Sequence, residues 1–261
     1  MKKAVFFDID GTLLDDQNYI PASTIDGIHK LQEAGNYAFI CTGRTKAYVR
    51  DEALLSIGFD GIVSGCGTMV EFQGKELYYY KLDAAQVKST ITFLKDNHIA
   101  AIMEGRYYLF LDGEDFGENP FIDRLRREIG DGIVPIMENE DIWEICKFSC
   151  DIQNTDLSVI KQGLEKNYSL IFHDEPVVEV VPKCCSKGTG ILKVCEKLGL
   201  DVQDTYAIGD SVNDLPMFEA AGHSIAMGNS SDFVKTQASF VTDSLHEDGI
   251  YHALEHFGLF L

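Results

Sequence analysis

Val5-Phe6-Phe7-Asp8-Ile9-Asp10-Gly11-Thr12 is an apolar run that stops at two carboxylates one residue apart. Residues 4–7 read as a strand buried on both faces, the pattern of a parallel sheet, and Gly11-Thr12 is turn chemistry that ends it. Asp8 and Asp10 then fall at a strand's carboxyl end, the edge where open α/β sheets bind their ligands. A solvated turn rich in aspartate would give the same letters, so the choice between the two rests on the remainder of the chain.

Around this segment strand and helix alternate. Residues 23–34 place Ile25, Ile28 and Leu31 on one helical face, with Ser23 as N-cap and Gly35 past the end. Residues 37–41 read as a strand, 46–57 as a helix, 61–64 as a strand, and 69–72 with 75–80 as a hairpin over Gln73-Gly74. Between 82 and 182 the rhythm changes. Helices at 84–97, 120–129 and 156–165 mix there with strands at 100–104, 107–111, 133–137, 145–152, 170–173 and 177–181, as in an α+β module. From 186 onward the alternation returns, with helices at 186–198, 213–221, 232–237 and 250–257 and strands at 205–208, 223–226 and 240–241. The sequence predicts an α/β fold: a Rossmann-like parallel-sheet core of residues 1–81 and 183–261 with helices on both faces, interrupted by an inserted α+β cap of residues 82–182.

Composition narrows the partners. The chain has 261 residues, 45% of them hydrophobic, enough for a sizeable core. Forty-two acids against 22 Lys plus Arg give a net charge of -20, which disfavours nucleic acid and anionic membrane and favours a monomer or small homo-oligomer. Met1-Lys2-Lys3 leads into an apolar run too short for a signal peptide, and no stretch approaches the roughly 20 apolar residues of a membrane helix; the expected location is cytoplasmic. Seven cysteines without a CxxC pair fit reduced, packed thiols better than disulfides or a zinc site.

Three further segments put polar residues at the carboxyl ends of core strands. The strand at 37–41 ends in Thr42-Gly43-Arg44 and is expected to run straight into a helix, so that the Thr42 hydroxyl and free helix amides could hold a phosphoryl group. Thr42 taken alone reads first as a plain helix cap. The strand at 205–208 ends in Gly209-Asp210-Ser211-Val212-Asn213-Asp214, where Asp210 taken alone is a turn residue and Asp214 a first-turn acid. If these strands are neighbours, four carboxylates share one crevice. Like charges so placed call for a hard divalent cation with oxygen ligands, and magnesium fits best. Lys187, in Ser186-Lys187-Gly188, opens the helix that returns to the core; a lone lysine is ordinarily a solvated one.

In order, DxDGT (Asp8, Asp10), TGR (Thr42, Gly43), Lys187 before glycine and GDxxND (Asp210, Asn213, Asp214) form a series that closely resembles the haloacid dehalogenase superfamily. The resemblance covers the whole chain, and the insert is similar to the type IIB cap of the Cof-like phosphatases. It implies that Asp8 is a nucleophile taking the phosphoryl group as an aspartyl-phosphate and that Asp10 is the general acid and base. It further implies that Asp8, the main-chain carbonyl of Asp10, and Asp210 hold Mg2+, with Asp214 as ligand or support. The resemblance also implies that Thr42, Gly43, Lys187 and Asn213 bind the phosphate. One departure is Ser64-Gly65-Cys66-Gly67, where the Cof-like pattern usually has an Asn-Gly-Ala turn on the substrate side. The expected function is Mg2+-dependent hydrolysis of small phosphorylated metabolites, sugar phosphates foremost. Flavin or pyridoxal phosphate as substrates, a phosphohexose mutase, and a catalytically silent binding protein on the same fold are the alternatives.

Overall fold

The computed structural model describes residues 2–153, 155–172 and 176–260. They pack as two units: one runs to Gly43, takes in Asp51–Tyr79 and resumes at Cys185, while the other consists of Arg44–Arg50 and Tyr80–Cys184.

The first unit opens with β1 (Ala4–Phe7), α1 (Ala22–Glu33), β2 (Tyr37–Cys41), α2 (Glu52–Ser56), β3 (Gly61–Ser64), β4 (Met69–Phe72) and β5 (Lys75–Tyr79). The second unit contributes α3 (Ala84–Asp96), β6 (Ala101–Gly105), β7 (Leu109–Phe110), α4 (Pro120–Ile129), β8 (Ile133–Val134), β9 (Ile145–Asp151), α5 (Leu157–Leu164), β10 (Tyr168–Phe172) and β11 (Val177–Pro182). The strand expected to end at His173 is described to Phe172, and His173 lies outside the described residues. The chain then closes the first unit with α6 (Lys187–Leu198), β12 (Thr205–Gly209), α7 (Leu215–Ala220), β13 (His223–Ala226), α8 (Asp232–Gln237), β14 (Phe240–Val241) and α9 (Gly249–His256).

Among the described residues the first unit's sheet has the order β14-β13-β12-β1-β2-β3-β4-β5, parallel except for the β3–β4 and β4–β5 pairs. All four residues of β1 are buried, because helices cover both faces. Phe6, Phe39 and Ala207 on one face pack with Ile191, Met217 and Val234 of α6, α7 and α8. On the other, α1 and α9 pack on each other where Gly27 meets Leu254. Register aligns the strand ends, with Phe7 opposite Ile40 of β2 and Ile208 of β12.

Two local expectations fail for physical reasons. The helix expected over 46–57 starts only at Glu52, with Asp51 as its N-cap accepting from Leu54 N–H at 2.8 Å. Residues 44–50 form a turn and belong to the second unit: Ala47 joins a cluster with Leu109, Ile122 and Leu125, and Arg50 donates to the carbonyls of Ala47, Ile129 and Tyr107. That packing overrides helix propensity. Likewise α1 is capped at Pro21 and not at Ser23, which lies inside the helix and donates its hydroxyl to Asp248.

The second unit's sheet runs β10-β11-β9-β6-β7-β8, antiparallel except for the β7–β8 pair. Met103, Phe148 and Val178 face the apolar residues of α3 and α5. The alternate residues on the opposite face include a charged group. Lys147 is 1% exposed, with its ammonium 3.4 Å from Glu104 and 3.3 Å from Glu179. Glu104 also accepts from Ser149 at 2.6 Å and Thr45 at 3.3 Å. Burial pushes the Glu104 carboxyl above its ordinary value, against the pull of Lys147. No helix among the described residues is long and apolar enough to cross a membrane.

Removing one partner of a buried charge group leaves the others without compensation. Lys147→Met is expected to lower unfolding stability by about 3–5 kcal/mol, read from the urea midpoint. An unchanged midpoint would show that the network contributes nothing net.

Candidate active site

The shared register delivers the tips of β1, β2 and β12 to one edge of the first unit. Asp8 follows β1 directly, and its N–H donates to the Ile208 carbonyl at 3.0 Å, locking it to the end of β12. Lys187 is the first residue of α6. Its approach is set by a capping box in which the Ser186 hydroxyl accepts from Thr189 N–H at 3.1 Å and the Thr189 hydroxyl accepts from Ser186 N–H at 2.8 Å. Gly188 lies so close to the Pro216 carbonyl that any Cβ would overlap it, which seats α6 against α7.

The Lys187 side chain, 1% exposed, donates to Asp8 Oδ1 at 2.7 Å, Asp214 Oδ1 at 2.6 Å and Asn213 Oδ1 at 3.2 Å. The other oxygen of Asp214 accepts from the backbone N–H groups of Asp210 at 2.9 Å and Ser211 at 3.0 Å. Asp210 Oδ1 accepts from the Thr12 hydroxyl at 2.9 Å, and the Ser211 hydroxyl donates to Asn213 at 2.7 Å. Carboxylate oxygens of Asp8, Asp210 and Asp214 lie within 4.8 Å of one another. Asp10 is exposed and its carboxylate stands outside this cluster. Thr42 is buried at the end of β2, its N–H on the Val63 carbonyl at 2.8 Å and its own carbonyl accepting from Cys66 N–H at 3.1 Å. No helix follows Gly43; the amides of Tyr48 and Val49 both go to the Thr45 carbonyl, so the helix terminus expected to face an anion is absent.

The electrostatics are those of crowded acid. Burial, then repulsion from Asp214, holds the Asp8 carboxyl well above its ordinary value, against the attraction of Lys187. Burial and then Asp214 push Asp210 up to about 7. Burial alone would lower the Lys187 ammonium, but Asp214 and Asp8 outweigh it and hold it well above its usual range. A donor set of carboxylate oxygens in mutual repulsion fits a hard divalent cation, which would reverse the cost of ionising Asp8 and Asp210 together. Arg124 and Arg126 on α4 are about half exposed, beside Glu128 and Asp123.

Sequence reasoning quoted Thr12 only as turn chemistry and passed over Ser211; the polar side chains of a strand-end loop were the available signal. Gly11 has a stricter reason than turn chemistry. It sits at φ +80°, its N–H donates to the Leu14 carbonyl at 2.8 Å, and an added Cβ would overlap the Asp210 carboxylate. Gly11→Ala is therefore expected to destabilise the unit by about 1–3 kcal/mol, seen as a lower thermal midpoint, whereas an unaltered midpoint would mean that the turn is free to relax.

The sequence matches the haloacid dehalogenase-like hydrolase family over residues 5–254. YkrA of Bacillus subtilis is 31% identical over 267 residues, covering 98% of both chains. The 5-amino-6-(5-phospho-D-ribitylamino)uracil phosphatase YwtE of the same organism is 30% identical, covering 97% of each. Among solved structures, the HAD subclass IIB sugar phosphatase BT4131 superposes with a TM-score of 0.81 at 25% identity, over 99% of this chain and 100% of that one. With a family match across nearly its whole length and phosphatase relatives aligned end to end, the chain belongs to the haloacid dehalogenase-like hydrolases, as one of the phosphatases of that family.

Proposed function

We propose that this protein is a Mg2+-dependent phosphatase of small phosphorylated metabolites, sugar phosphates foremost, working through an aspartyl-phosphate on Asp8. The observation that carries the reading is the buried Asp8 carboxylate at the tip of β1, with Lys187 Nζ at 2.7 Å and two further acids alongside. The relatives' substrates support the class, since one acts on a ribitylaminouracil phosphate and another is a sugar phosphatase. The inserted unit, residues 82–182 by the sequence reading, is assigned as the cap that sets specificity.

In this reading an Asp8 oxygen attacks phosphorus, the bond from phosphorus to the ester oxygen breaks, and Asp10 gives its proton to the departing alkoxide. Water then attacks the phosphoryl-aspartate, its proton passes to Asp10, and phosphate leaves with Asp8 restored. Lys187 holds the phosphoryl oxygens and the Asp8 carboxylate in one place, and Thr42, Gly43 and Asn213 complete the phosphate pocket. Asp214 has one oxygen on Lys187 and the other on two backbone amides, so its part is to fix the lysine and the Asp210 loop. Mg2+, held by Asp8, Asp210 and the Asp10 carbonyl, would supply charge neutralisation for nucleophile and phosphate.

Two measurements test this. Asp8→Asn should cut phosphate release from p-nitrophenyl phosphate and from a panel of sugar, flavin and pyridoxal phosphates by about 10⁴-fold or more while the far-ultraviolet dichroism stays that of the parent; retained turnover sinks the nucleophile assignment. Chelation with EDTA should abolish turnover and Mg2+ restore it, and activity that survives chelation would remove the metal from the reading.

A further inference from the structure

Ser211 opens the turn that carries Asn213 and Asp214, and its hydroxyl has no part in the chemistry described so far. It donates to Asn213 Oδ1 at 2.7 Å, while its next acceptor, Asp214 Oδ2, is 3.5 Å away. The backbone at Ser211 is extended, with φ -128° and ψ 172°, and its N–H is held by Asp214 at 3.0 Å. Asn213 Oδ1 thus accepts two protons, one from this hydroxyl and one from the Lys187 ammonium at 3.2 Å.

An ammonium only donates, so the end of the Asn213 amide that meets Lys187 must be its oxygen. With Oδ1 turned to Lys187 and Ser211, Nδ2 forms the other end of the side chain, and its two protons have no partner among the described residues. This orientation decides what an anion beside Lys187 meets. It meets two N–H donors, in a site whose acids repel it; the reversed amide would show it a carbonyl oxygen.

The two restraints on Oδ1 are unequal. The ammonium's three acceptors are Asp214 at 2.6 Å, Asp8 at 2.7 Å and Asn213 at 3.2 Å. A phosphoryl oxygen that takes a proton from Lys187 takes it most readily from the longest of these bonds, the one to Asn213. Ser211 has no such second duty, so its hydroxyl keeps the amide turned when the lysine is engaged elsewhere.

We propose that Ser211 is a positioning residue for phosphate binding, fixing the Asn213 amide so that Nδ2 faces the bound phosphate. This rests on the reading of Lys187 and Asn213 as phosphate-binding groups.

The test is titration calorimetry of inorganic phosphate into the Mg2+-saturated protein, and of Mg2+ alone into the metal-free protein. The proteins are the parent, Ser211→Ala, Ser211→Thr, Asn213→Ala and the double variant Ser211→Ala with Asn213→Ala. Ser211→Ala keeps the N–H on Asp214 and should weaken phosphate binding about three- to tenfold. Ser211→Thr keeps the hydroxyl on an extended backbone that suits a β-branched residue, and should bind phosphate like the parent. Asn213→Ala should lose at least as much as Ser211→Ala, and the double variant no more than Asn213→Ala alone, because the hydroxyl acts through the amide. Mg2+ affinity should stay that of the parent throughout. Independent losses that multiply in the double variant, an unchanged Ser211→Ala, or a Mg2+ affinity that falls with the phosphate affinity would each overturn the role of Ser211. Unchanged phosphate binding in Asn213→Ala would remove Asn213 from the phosphate pocket and the inference with it, while leaving turnover at Asp8 to stand on its own measurement.

Discussion

Burying the Lys187 ammonium against two carboxylates, at 2.7 Å from Asp8 and 2.6 Å from Asp214, is the constraint from which the local architecture follows. An ammonium out of water needs acceptors on every side, and a carboxylate out of water needs donors. Asp214 meets both demands at once, one oxygen on the lysine and the other on the amides of Asp210 and Ser211. The tight turn over Val212–Asp214 and the start of α7 at Leu215 place that side chain. The approach of α6 to α7 at Gly188 then sets how far Lys187 reaches.

The parallel sheet makes this possible because its register is common to all the strands concerned. Phe7 pairs with both Ile40 and Ile208, so the residues just beyond β1, β2 and β12 emerge at one level. A shift of one residue in β1 would draw Asp8 back between the two helix-covered faces, where Phe6 on one and Phe7 on the other are wholly buried. The apolar run and the acid that ends it are therefore one device: the strand must be buried on both faces to be placed, and its end must be polar to be useful.

What was legible in the sequence divides along the same line. Where local pattern and packing agree, boundaries emerge closely, as in β2, β3, α4 and β13. Residues 44–50 were misread because Ala47 and Arg50 answer to the second unit's cluster and carbonyls, which nothing in the local spacing shows. Ser23 is a good cap in isolation, but Pro21 fixes the start of the helix and Asp248 takes the hydroxyl. In the candidate site the acids, the lysine and their strand-end positions were readable. The division of work between them was not, because whether Asp214 faces an ion or supports a lysine depends on where two oxygens point.

The charge of the whole chain bears on the same few ångströms. With 42 acids against 22 Lys plus Arg, the protein's field repels a phosphate ester, so attraction has to be concentrated where the ester binds. Lys187 cannot supply it alone, because its ammonium is already shared by Asp8 and Asp214. Three carboxylates and one ammonium leave the ionised cluster with two negative charges, which a divalent cation would cancel and a monovalent one would not. Low local dielectric strengthens both the repulsion and its cure. The same acids that make the site hostile to an anion while ionised and unaccompanied are thus the ones that would hold a cation able to receive it.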